Sequence, residues 1–385
     1  VISVIAPEPV PWVKELLALN DQRLVTDVFA PWAVAPAPRW FPDFVRSRWD
    51  RRSIDEHRDH VLPWPGWPFG ELSLRQLAGG KVPRQMEARF LNRKIIGLLA
   101  TALMRKRVNV VVAPSLAAGE LFVKARQLGG RTVLLEDIPD MRSLHADLDA
   151  AASVHPDAAF LRRYRAPLKW MVRQERERVL ADVIVVRGPF ALAERKRDHP
   201  DAIVEPWPVA SARAASGWSE GKRPNVVLLA GLASARNGSY ELLQALDALP
   251  ELRVLVHAGE GTEPASLLRH PRVRVVDANE RARLSSVGAV VAPAWCEGHS
   301  PDVARAEALD VPVIASTRAA GFGAFVEVKP GRVNELVEAL QAVLDGHAGK
   351  TTLSPRKTWA ALLGEMENSL GEQGRSSWAG HRGAV

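Results

Sequence analysis

One stretch restricts this chain more than any other. Ala289 to Pro293 is an apolar run, and Glu297-Gly298-His299-Ser300 is a polar turn. An Ala-rich segment of helical composition follows, and Val311 to Ala315 is a second apolar run. Strand, loop, helix and strand within about thirty residues is the length of a βαβ unit. Open parallel sheets bind ligands in the crevice outside the carboxyl ends of their strands. The turn at Glu297 is therefore the first candidate site.

The same alternation runs along the chain. Val1 to Ala6 and Leu24 to Phe29 read as strands, and Gln85 to Arg107 as a helix ending in Arg105-Lys106-Arg107, where cations suit the helix dipole. Val108 to Ala113 is a buried strand, and Leu116 to Leu128 a helix stopped by Gly129-Gly130. Thr132 to Leu135 is a strand ending at Glu136-Asp137, followed by a helix from Pro167 to Ala181 and a strand from Val183 to Val186. Glu205 to Pro224 turns to Pro, Ser, Ala and Gly, the composition of a linker. The pattern then restarts with Val226 to Ala230, a helix over Tyr240 to Leu249, a strand at Leu252 to Ala258 and a helix over Val333 to Leu344. At 385 residues the chain exceeds one ordinary core. The expectation is α/β, with two doubly wound domains facing across a ligand-binding cleft. Residues 1–205 form the first domain, 206–224 the linker and 225–353 the second domain; 354–371 form a closing helix and 372–385 a polar tail.

Composition narrows the function classes. Hydrophobic residues at 47% and charged residues at 25% are globular values, which excludes a disordered chain. A single cysteine, Cys296, excludes a disulfide framework and a cysteine-rich metal site and fits a reducing compartment. No signal core and no run of about eighteen apolar residues appears, so the expectation is a cytoplasmic protein. The net charge of +7 favours anionic partners, although solvated arginines produce the same balance. Leu161 to Arg178, with Arg162, Arg163, Arg165, Lys169 and Trp170, reads either as a helix with a solvated charged face or as a peripheral contact with an anionic membrane. The Pro- and Trp-rich stretch from Pro31 to Gly80 reads as loop packing, as an acceptor groove or as a contact with a lipid interface. Gly231 with Gly238, and Gly259 with Gly261, fit neither a dinucleotide nor a P-loop fingerprint. They still follow strand ends, where bare amides suit phosphate. Neither a His-Glu-x-x-His zinc pair nor a Gly-x-Ser-x-Gly elbow occurs, and nucleic-acid folds leave no signature beyond charge.

From Pro293 to Ser316 the chain reads Pro-Ala-Trp-Cys-Glu-Gly-His-Ser-Pro-Asp-Val-Ala-Arg-Ala-Glu-Ala-Leu-Asp-Val-Pro-Val-Ile-Ala-Ser. This resembles, without a gap, the donor-site segment of the retaining GT-B-fold glycosyltransferases, the large family that includes sucrose synthase and bacterial polysaccharide and glycolipid enzymes. Val226 to Leu246 is similar to that family's phosphate-gripping segment, and Pro355 to Met366 to its closing helix, which crosses back to the first domain.

What the resemblance implies is transfer of a sugar from a nucleotide-diphosphate donor to a carbohydrate or lipid-linked acceptor, without a metal ion or other cofactor. Glu297 would hold a sugar hydroxyl, and Asp137, with Glu136 beside it, would orient donor or acceptor. Gly231, Arg236, Asn237, Gly298, His299 and Ser300 would line the donor site. The sequence also departs from the family. Arg305 stands where the family's ribose-binding Glu falls, and Glu307 is two positions late. The family's basic pair falls on Leu232 and Asn237, with Arg236 one residue away. A guanidinium only donates, so Arg305 suits phosphate and not ribose hydroxyls. Three altered positions also fit a different class, a binding or partner protein of this shape that has lost catalysis. Each residue has a plain structural role as well: Glu297, Glu136 and Asp137 as helix caps, Arg305 as an ion-pair partner of Asp302 or Glu307.

Overall fold

The computed structural model describes residues 2–5, 27–30, 61–63, 82–104, 108–155, 157–158, 161, 164–208, 223–258, 264–277, 284–296, 300–347 and 357–366. Two parallel sheets organise them. The first takes β1 (Ile2–Ile5), β2 (Asp27–Ala30), β3 (Val61–Pro63), β4 (Val110–Pro114), β5 (Arg131–Glu136), β6 (Val183–Val186) and β7 (Ile203–Pro206), in the order β3-β2-β1-β4-β5-β6-β7. The second takes β8 (Val226–Leu232), β9 (Arg253–His257), β10 (Val273–Val275), β11 (Ala289–Ala292), β12 (Val313–Ala315) and β13 (Val326–Glu327), in the order β10-β9-β8-β11-β12-β13. Strand order reverses between β1 and β4 in one sheet and between β8 and β11 in the other. Those reversals are the two topological switch points.

Helices α1 (Val82–Leu103), α2 (Gly119–Gln127), α3 (Met141–Val154), α4 (Leu168–Leu180) and α5 (Pro189–Asp198) belong to the first lobe. The second has α6 (Ser239–Ala248), α7 (Ala265–Arg269), α8 (Pro301–Ala308) and α9 (Val333–Leu344). The central strands are apolar on both faces because both faces are covered. Val227 and Leu229 pack under α6 and α9 with Leu242, Leu246, Leu336 and Leu340. Leu228 and Ala230, one residue out of phase, pack under α8 with Val303 and Ala306. Period-two alternation thus divides one strand between two cores.

The α/β architecture with two parallel sheets is the one the sequence predicts. The terminal helix, residues 359–366, returns to the first lobe: Trp359 meets Trp207 edge-on at 5.9 Å, and Lys357 reaches Glu205 at 3.0 Å. The helices expected at Gln85 and Leu116 are displaced, to Val82–Leu103 and Gly119–Gln127. Leu116 cannot open a helix because its φ is +71°. The sequence reading passes over α3 and α5 altogether.

Candidate functional site

At the switch point of the second sheet, the next-to-last residue of β8 is Gly231, whose φ of +78° is a backbone setting that L side chains rarely adopt. A short 3-10 turn, Ala235–Asn237, and then α6 follow, while α8 enters from β11 on the adjacent strand. Gly238, also left-handed at +85°, lets that turn approach Pro293, whose carbonyl oxygen would lie 2.7 Å from a Cβ. The Asn237 side-chain amide donates to the Leu232 carbonyl at 2.7 Å and lies beside Gly231. Ser300 caps α8, its hydroxyl accepting the amide of Asp302. Gly231, Asn237 and Ser300, three residues expected at the donor site, therefore meet in one crevice.

Asp302 is the resident of that crevice. Its side chain is 1% exposed, and its Oδ2 accepts the Gly231 amide at 2.9 Å and the Ser300 hydroxyl at 3.1 Å. Arg305, one turn on, stands 3.7 Å from Oδ1 with its side chain 40% exposed. That is beyond hydrogen-bond length, so the guanidinium is only loosely engaged. Arg236 on the 3-10 turn is exposed. Glu307 accepts the Gly323 amide at 2.9 Å. Pro301 at the start of α8 contributes no amide. Glu297, Gly298 and His299 lie outside the described residues, as do Gly259, Gly261, the Pro9-Val10-Pro11 loop, the 372–385 tail and all of the Pro31–Gly80 stretch except Val61–Pro63.

The first-lobe carboxylates have buried partners. Asp137 is held by both Arg93 guanidinium nitrogens at 2.8 Å, with both side chains 8% exposed. Glu136 is 4% exposed and bridges Arg178 at 2.5 Å and Arg195 at 2.8 Å. Asp140 completes that cluster, contacting Arg178 at 2.8 Å and Arg195 at 3.1 Å while capping α3 through the amides of Arg142 and Ser143. Burial works against its charge, but the two guanidiniums prevail and hold its carboxyl below the usual range. Neither Glu136 nor Asp137 caps the helix; Asp140 does.

Segments that follow the carboxyl ends of strands in both sheets face one another. Arg318, after β12, reaches Asp147 on α3 at 2.9 Å and lies over the Phe190 ring. Gly188, after β6, closely approaches the carbonyl of Ala320. Leu144, Leu148 and Ala151 of α3 share a core with Ala235 and Cys296. Cys296 is buried, which pushes its thiol up to about 12 and leaves it protonated at neutral pH. Trp170, which a peripheral membrane contact would turn outward, faces inward at 3% exposure against Phe90, and Lys169 pairs with Glu87. Leu168, Val172 and Val179 of the same helix are exposed. No described helix is long and apolar enough to cross a membrane. Among the described residues no group of three or more His, Cys, Asp or Glu side chains could hold a metal ion.

Sequence reasoning missed Asp302 as the centre of the crevice and α3 as the bridge between lobes. Ser-Pro-Asp at a helix start, and Asp140 followed by Leu144, Leu148 and Ala151 at helical spacing, were the available signals.

No family model matches the chain, and no curated protein matches it. Similar solved structures exist at low identity. HepE of Anabaena, in complex with UDP and glucose, is 12% identical over 98% of this chain and 99% of its own, with a TM-score of 0.47. The α,α-trehalose-phosphate synthase of Burkholderia xenovorans is 13% identical over 99% of this chain and 98% of its own, at 0.45. TarM of S. aureus is 9% identical at 0.44; the match takes in 73% of this chain and 55% of TarM, so this chain spans about half of that protein's length.

Proposed function

We propose that the protein transfers a sugar from a nucleotide-diphosphate sugar to a carbohydrate or lipid-linked acceptor, with retention at the sugar carbon. The observation that carries this reading is the crevice at the second switch point, where Gly231, Asn237, Ser300 and the start of α8 converge opposite the first lobe. In parallel sheets this is where a ligand sits. A departing diphosphate needs positive charge held in place. Exposed Arg236 and the loosely paired Arg305 supply it, and no metal ion or other cofactor enters the scheme. Glu297 holds a sugar hydroxyl, with Gly298 and His299 beside it. Asp137, fixed by Arg93, orients the acceptor. Glu136, held by Arg178 and Arg195 as Asp137 is by Arg93, stands beside it on the acceptor side.

One observation favours a second reading, a binding or partner protein that has lost catalysis. The Asp302 carboxylate rests on the Gly231 amide, the position an incoming phosphate would take. A donor must displace or outweigh it. Melting temperature and nucleotide release measured with a panel of UDP- and GDP-sugars separate the two readings. Stabilisation with release of nucleotide supports transfer; neither effect with any donor supports the second reading. We further propose that the exposed apolar residues of α4 make a peripheral contact with anionic membrane, tested by co-sedimentation with vesicles containing anionic lipid.

A further inference from the structure

Outside the crevice, one polar cluster joins the lobes. His155, at the carboxyl end of α3, is 7% exposed, and Glu241, in the first turn of α6, is 1% exposed. Nε2 of His155 lies 2.9 Å from Oε1 of Glu241, and the same oxygen accepts the indole N–H of Trp295 at 2.7 Å. The imidazole stacks on Tyr240 with ring centroids 4.6 Å apart and stands at 90° to Trp295. Trp295 is fixed twice more. Its backbone N–H donates to the Arg236 carbonyl at 2.9 Å, and its ring lies 2.8 Å from where a Cβ on Gly331 would sit. Oε2 of Glu241 is buried with no hydrogen-bond partner among the described residues. A buried carboxylate with one free oxygen destabilises a fold relative to an apolar side chain of the same size. Its use must lie in what the other oxygen orients.

We infer that Glu241 is a positioning residue. Set by His155 from the first lobe, it holds the Trp295 indole, and the Trp295 backbone in turn fixes the turn that carries Arg236 and Asn237 beside Gly231. The phosphate-facing turn of the second lobe is thus completed by a residue of the first. The inference rests on the proposed function for its ligand, a nucleoside diphosphate, while its geometry stands without it.

Residue-resolved hydrogen exchange on the full chain, with UDP and GDP as probes, tests both parts. Trp295→Phe removes one N–H and keeps an aromatic ring; Glu241→Ala removes the acceptor; Glu241→Gln keeps an acceptor oxygen. The first two variants should speed exchange at the amides of Trp295 and Asn237 about tenfold, the size of one hydrogen bond to a charged group. Amides in β4 and α9 should not change, and Glu241→Gln should stay within about twofold of wild type. UDP or GDP binding should weaken about tenfold in the same two variants and recover in Glu241→Gln. Unchanged exchange at Trp295 and Asn237 in Trp295→Phe overturns the inference, even if Glu241→Ala loosens the whole chain. Wild-type protein that binds neither nucleotide, yet shows the exchange pattern, overturns the nucleotide reading and leaves the positioning role. Nucleotide binding with unchanged exchange does the reverse.

Discussion

Beside its switch point each sheet presents backbone N–H groups to a carboxylate of the chain, three in the first lobe and one in the second. In the first lobe it is Glu177 of α4, which accepts the amides of Leu116, Ala118 and Gly119 at 2.6, 3.1 and 2.9 Å. Its side chain is fully buried, and its cation, Arg173, is clamped in turn by Glu120 at 2.6 Å. In the second lobe it is Asp302, which accepts one amide and one hydroxyl and faces a half-exposed Arg305 at 3.7 Å. The first nest is closed on itself, whereas the partners of the second, among the described residues, include one amide, one hydroxyl and a distant arginine.

The largest effect is expected from Glu177→Ala, which strands three buried amides and Arg173. Urea denaturation should show a loss of about 3–5 kcal/mol; a loss below about 1 kcal/mol would mean that the nest is not closed. Next comes pH. Burial, opposed by Arg173, pushes the Glu177 carboxyl from 4.5 up to about 7. A carboxyl whose folded value is raised adds its full stability below its unfolded value and loses it as pH rises through the folded one. Wild type should therefore lose about 3 kcal/mol between about pH 4.5 and 7 relative to Glu177→Gln. Denaturation curves of both proteins at either end of that window check it.

Asp302→Ala should act differently. Stability should fall by only about 1–3 kcal/mol, from the lost Gly231 and Ser300 bonds. Titration should show UDP or GDP binding about tenfold tighter, because bringing like charges together costs at least that much. A looser nucleotide complex would assign Asp302 a supporting role. The smallest effect is expected at Gly231→Ala, where φ of +78° and a Cβ 3.1 Å from Asn237 Nδ2 should cost about 1–2 kcal/mol in melting studies.

The fold was largely legible because its strands are short apolar runs with abrupt ends. Val183 to Val186 and Val333 to Leu344 are found with the bounds expected. In the second lobe the positions of Gly231, Asn237 and Ser300 at a strand end, a turn and a helix start were legible because these are local features. Glu136 and Asp137 follow the same rule yet are enclosed by Arg93, Arg178 and Arg195, partners 42 to 59 residues away that no local pattern announces. His155 and Glu241, 86 residues apart, were illegible for the same reason. Arg305, expected from its spacing as an ion-pair partner of Asp302 or Glu307, stands beside Asp302. That Asp302 would turn its other oxygen to Gly231 depends on how β8 and β11 adjoin, which is a property of the sheet and not of the segment.

The central claim is that the Gly231–Asp302 crevice takes the diphosphate of a nucleotide donor with help from Arg236 and Arg305. Its most direct test is calorimetric titration of UDP and GDP into wild type and Arg236→Ala/Arg305→Ala. The account predicts saturable binding to wild type that falls by about tenfold or more in the double variant, since each charge-assisted contact is worth at least that. No binding to wild type, or equal binding to both proteins, would contradict it.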